Sequence, residues 1–125
     1  MTAQRFLRSP WPWRALLVLA MGAVLALSLM PPGPELPSTG WDKSNHALGF
    51  ALLGWLGLRA FPGRTLAVLG GLLAYGGLIE ILQSFTVYRM AEWGDLWADG
   101  FGLLLGAAVH QAWAWGRAKW GPRAA

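Results

Sequence analysis

Cysteine is absent from the chain. That excludes disulfides, a thiolate metal centre, a cysteine nucleophile and a lipoprotein-type acylation site. Charge is scarce too: Asp, Glu, Lys and Arg make up 13% of the residues, roughly half the share in a soluble domain. No glycine loop for nucleotides, no nucleophile elbow and no zinc-protease motif occurs. What the chain has in excess is apolar surface. Of its 125 residues, 55% are apolar, and the mean hydropathy is +0.41. One small domain is all this length allows, and in water it would lack the interior to hide so much apolar surface. Disorder is excluded, an ordinary cytosolic enzyme is disfavoured, and lipid is the expected solvent.

The apolar residues fall into continuous runs that do not alternate, so helices rather than strands are expected. A helix crosses the hydrocarbon core with about 20 residues. Four spans are predicted, at about 13–30, 44–61, 66–85 and 93–115, within a single transmembrane domain covering 1–125. Pro31-Pro32 stops the first and Pro62-Gly63 the second. The expected fold is all-α, a membrane-embedded up-down four-helix bundle. The first span is too long for a signal peptide and has no small-x-small site before Pro31, so it is expected to stay as an anchor.

The charges sort by side. Arg5, Arg8, Arg14, Arg59, Arg64, Arg117, Lys119 and Arg123 fall on one face of this topology, and Lys43 and Arg89 on the other. The positive-inside rule then puts both termini in the cytoplasm of a bacterial cell, with the inner membrane as the location. The same asymmetry explains a pI near 10.4 without nucleic acid as a partner. Seven tryptophans, at 11, 13, 41, 93, 113, 115 and 120, lie near predicted span ends, where amphipathic rings anchor. Small residues recur at spacing four in the last span, at Ala98, Gly102 and Gly106, with further glycines at 49, 54 and 57 and at 70, 71, 76 and 77. Such stripes serve packing within a bundle or homo-oligomerisation.

The polar residues of the spans converge on the outer level. His46 opens the second span, behind Asp42 and Lys43. Glu80 and Gln83 share a face near the outer end of the third. Arg89 lies in the next connection. Asp95, Asp99, Gly102 and Gly106 line one face of the fourth. Ionisable groups inside spans are costly and are paired or functional. Plainer roles exist for several of them. Asp42 suits a helix N-cap, Asp95 the positive end of the last span, Lys43 a snorkelling position and Glu92 a solvated one. Glu80 with Arg89 suits a structural clasp, and His110 an interfacial site at the inner end. The cluster as a whole is either a site or polar glue between helices.

The ordered pattern Asp42-Lys43-x-x-His46-x-x-x-Phe50, Glu80-x-x-Gln83, Arg89 and Asp95-x-x-x-Asp99-x-x-Gly102-x-x-x-Gly106 resembles the VanZ-like family of small bacterial membrane proteins. It covers just over half the chain. The family often carries Asn where Asp99 stands, which would change the charge of the cluster. The founding member is associated with reduced susceptibility to teicoplanin-type glycopeptides. The resemblance therefore implies a class and a compartment, the cell envelope, and no particular reaction.

Three functions follow as alternatives. A binding or modulating protein would hold a cell-envelope lipid or glycopeptide-related ligand, with Asp42, Lys43, Gln83 and Arg89 on its polar head. An intramembrane enzyme would use His46, Glu80, Asp95 and Asp99 for acid–base chemistry on an envelope lipid or precursor. A transporter or structural subunit is the third. The four catalytic candidates also comprise nitrogen and oxygen donors, but their spacing is no known ligand signature, so no metal and no cofactor is assigned.

Overall fold

The computed structural model describes residues 2–31, 42–87 and 92–121, excluding the side chains of Leu7 and Asp42. It is all-helical over these residues, with five helices: α1 (Ala3–Arg8), α2 (Trp11–Leu29), α3 (Asp42–Ala60), α4 (Thr65–Ser84) and α5 (Trp93–Trp120).

Local chemistry sets the ends. The Thr2 hydroxyl accepts from the Arg5 N–H at 3.3 Å and starts α1. Pro12 sits in the first turn of α2, where a missing N–H costs nothing. Met30 closes that helix through its N–H to the Ala26 carbonyl, at 3.0 Å, and Pro31 follows. Between α3 and α4 the chain reverses at Gly63, whose φ of 79° is a left-handed conformation that suits glycine.

Cross-helix contacts fix the directions. Val24 of α2 lies against Gly49 of α3, and the Arg14 side chain reaches the Ala60 carbonyl at 3.0 Å, so α2 and α3 are antiparallel. Gly57 faces Val68 and Leu72, while Gly76 faces Phe50, so α3 and α4 are antiparallel too. Gly102 lies on Ala47 and Gly106 on Ala51, which makes α3 and α5 parallel. The order is up, down, up, down, with α3 in contact with each of the other three long helices. Phe50, Leu53, Ile79 and Leu103 form the buried core. The Tyr75 hydroxyl donates to the Met21 carbonyl at 2.7 Å and the Gln83 amide to the Ser28 carbonyl at 2.8 Å, tying α4 to α2. Such interhelical bonds contribute about 0.6 kcal/mol each in lipid.

The two ends differ in character. Where α3 ends and α2 begins, Arg14 stacks over Phe61 at 4.6 Å and Arg59 over Trp13 at 4.3 Å. The Trp13 ring meets Trp55 edge-on at 5.5 Å. An open, largely apolar groove of about 290 Å³ lies near this end, between Leu17, Met21, Phe61 and Val68. Acids and His46 gather at the opposite end.

Several expectations are refined. α1 was not anticipated, and α5 runs five residues past its predicted end because Gly116, Arg117 and Lys119 do not break a helix. Among the described residues only α2 and α4 are both long and apolar enough to cross a membrane. α3 and α5 have the length, at 19 and 28 residues, but carry the ionisable groups. Arg89 and Arg123 lie outside the described residues.

Candidate functional site

Close backbone approach builds the site. A Cβ on Gly102 would collide with the Ala47 carbonyl oxygen, and one on Gly106 with that of Ala51. The absent side chains let α5 lie directly on α3, as small-residue stripes do. Asp95 and Asp99 continue the Gly102–Gly106 face toward the start of α5, so they come beside His46 in the second turn of α3. α4 closes the third side. It offers Gly76, where an added Cβ would stand 2.6 Å from Asp99 Oδ2, and one turn later Glu80.

The result is a buried polar nest. His46 Nδ1 and Asp99 Oδ1 are 2.8 Å apart, and Asp99 is fully buried. With Asp99 ionised, Nδ1 carries the proton and donates it. His46 Nε2 lies 3.9 Å from Asp95 Oδ2. Glu80 Oε2 accepts from the Glu92 backbone N–H at 3.0 Å. At the rim, Lys43 Nζ binds Glu92 Oε2 at 2.9 Å and stands 3.9 Å from Asp95 Oδ1. Among the described residues, the buried acceptors Glu80 Oε1, Asp99 Oδ2 and Gln83 Oε1 keep no hydrogen-bond partner. Unpaired buried acceptors are costly, so each marks a place where a donor or cation fits.

His46, Glu80, Asp95 and Asp99 are thus brought together from three helices. Lys43 joins them at the rim. Gln83 is buried nearby, but its amide N–H is spent on α2. Arg89, expected as a partner of Glu80, lies outside the described residues, as does the Asp42 side chain. His110 is remote, on the far half of α5, and its buried Nδ1 lacks a partner.

Two contributors were not foreseen. Glu92 is solvated as expected, its side chain 53% exposed, but it also supplies the carboxylate for Lys43 and the backbone N–H for Glu80. Gly76 makes room for the Asp99 carboxylate. Its place one turn before Glu80, on the same helix face, was the available signal.

Chemically, the nest offers an imidazole fixed by one carboxylate, with two further carboxylates nearby. It is suited to moving a proton, holding a cation or accepting hydrogen bonds. The chain matches no protein family, no curated protein and no solved structure.

Proposed function

We propose that this chain is a VanZ-like integral membrane protein that binds or modulates a cell-envelope ligand, lipid-linked or glycopeptide-related, at the end holding the nest. In this reading α2 to α5 form a membrane-embedded four-helix bundle in a bacterial cytoplasmic membrane. Both termini are cytoplasmic, and the nest lies beneath the outer headgroups. The exposed helix faces support lipid as the surroundings. Val18 and Leu19 of α2 and Trp97, Phe101 and Leu104 of α5 are each 64–80% exposed, large apolar side chains that a bilayer would cover. α3 and α5 become compatible with the bilayer because His46 of α3 and Asp95 and Asp99 of α5 turn inward. The basic end, rich in Arg and Trp, then faces the cytoplasm.

The observation that carries the functional reading is the convergence of His46, Glu80, Asp95 and Asp99 in one nest with unpartnered acceptors. Acceptors without donors suit an amine, hydroxyl or amide on the ligand head. Arg89, in the adjoining connection, has the donor fork for a phosphate or carboxylate. A second reading, an intramembrane enzyme acting on an envelope lipid or cell-wall precursor, draws on the 2.8 Å His46–Asp99 contact. A carboxylate that orients an imidazole is the core of an acid–base pair.

His46→Ala, Glu80→Gln, Arg89→Lys and Asp95→Asn, made singly, test the site. Glycopeptide susceptibility of expressing cells is expected to shift back to that of the deletion strain while the folded yield in detergent stays near wild type. A fall in yield throughout would instead make the nest polar glue. The envelope-lipid inventory of expressing and deleted cells separates the two readings, and an unchanged inventory contradicts catalysis.

The orientation has its own test, made simple by the lack of native cysteine. Phe85→Cys, at an 80% exposed position at the nest end of α4, is expected to react in spheroplasts with a membrane-impermeant maleimide. Thr2→Cys is expected to react only after permeabilisation. The reverse pattern contradicts the placement.

A further inference from the structure

We infer that the nest is a binding site for a single divalent transition-metal ion, held by His46, Glu80 and Asp99. These residues come from α3, α4 and α5, and one donor atom from each lies within 4.8 Å of the others. Ligands of one ion with bonds of about 2.0–2.2 Å stand roughly 3 Å apart, so the triangle closes with side-chain movements of about 1 Å.

An unmet acceptor on each carboxylate points to an occupant. Asp99 is fully buried with Oδ2 unpartnered, and Glu80 is 8% exposed with Oε1 unpartnered. Gly76 fixes where Asp99 stands: a Cβ there would take the place that Oδ2 occupies.

Charge decides what kind of occupant fits. Glu80, Asp95 and Asp99 bring three carboxylates to one buried volume, against Lys43 at the rim and His46 inside. Lys43 is already bound to Glu92. Buried charges need compensation, and a doubly charged cation between Glu80 and Asp99 supplies it. The nest is closed around His46, whose side chain is 9% exposed. A bare ion is small enough to reach these buried donors.

Donor type narrows the ion. One imidazole nitrogen with carboxylate oxygens suits zinc or manganese; calcium and magnesium prefer all-oxygen shells, and copper(I) prefers sulfur. The ligands lie in three separate helices, so no short sequence motif announces them. This inference rests on the nest alone and not on the envelope reading above.

The test uses the full chain in detergent, carrying no polyhistidine tag, stripped with chelator and titrated separately with Zn²⁺ and Mn²⁺. One equivalent of at least one ion is expected to bind. Glu80→Gln and Asp99→Asn, which keep side-chain shape, are expected to weaken it by at least ten-fold. His110→Ala, remote from the nest, is expected to bind like wild type. With Mn²⁺, the free-ion resonance signal is expected to fall stoichiometrically with the wild type and His110→Ala, and not with Glu80→Gln or Asp99→Asn. Wild-type protein that binds neither ion at a defined ratio overturns the proposal, and needs no variant to fold. Stoichiometric binding that survives both Glu80→Gln and Asp99→Asn also overturns it. Because no envelope ligand is present, a negative result here leaves the envelope reading standing. A failed susceptibility test likewise leaves this one.

Discussion

Gly102→Val is expected to cost about 3 kcal/mol, the upper range for overpacking a tight contact. It should appear as loss of monodisperse protein in detergent, or as a large fall in the unfolding midpoint. The added side chain meets the backbone of α3 at Ala47, which cannot swing away as a flexible side chain can. The same substitution at Gly70, which has no neighbouring atom within 4 Å of an added Cβ, is expected to change stability by less than about 0.5 kcal/mol. Equal effects at the two positions would mean that α5 does not rest on α3. The contrast matters for function because this contact carries Asp95 and Asp99 to His46.

Asp99→Ala is expected to be the second severe change, at about 3 kcal/mol, measured by unfolding in detergent. It strands the buried His46 Nδ1 without its partner, and leaving a buried donor unpaired costs more than the bond contributes. Asp99→Asn is expected to cost about 1 kcal/mol, because the amide oxygen still accepts from Nδ1–H. A mild Asp99→Ala would show that the pair is not formed.

The helix ends near proline were legible in the sequence because proline acts locally. Pro31 and Pro62-Gly63 end α2 and α3 within a residue or two of expectation. The last helix was harder, since no residue before Gly121 forces a stop and basic residues favour its final turn. The short α1 depends on one threonine cap and has no periodic pattern to announce it. In the nest, the levels of His46, Glu80, Asp95 and Asp99 followed from counting residues along alternating helices. Their partners did not. Of the partners expected for Glu80, His46 does share its nest and Arg89 lies outside the described residues, but the backbone N–H of residue 92 that its Oε2 takes was not expected. Backbone donors at a helix start look alike in any sequence. Gln83 shares the face of Glu80, yet its amide donates across to the Ser28 carbonyl of α2, which a carboxylate could not do. Glycine stripes announce close packing without naming the partner. Gly102 and Gly106 are filled by α3, whereas Gly70, Gly71 and Gly77 face open space.

The claim on which the rest depends is that residues 46 and 99, on different helices, touch in the folded protein. A double-mutant cycle tests it most directly. Unfolding is measured for wild type, His46→Ala, Asp99→Ala and the double variant. The nest predicts coupling of at least about 1 kcal/mol, with the double variant little worse than Asp99→Ala alone. Additivity within about 0.4 kcal/mol is what separate, non-touching residues give, and would contradict the nest.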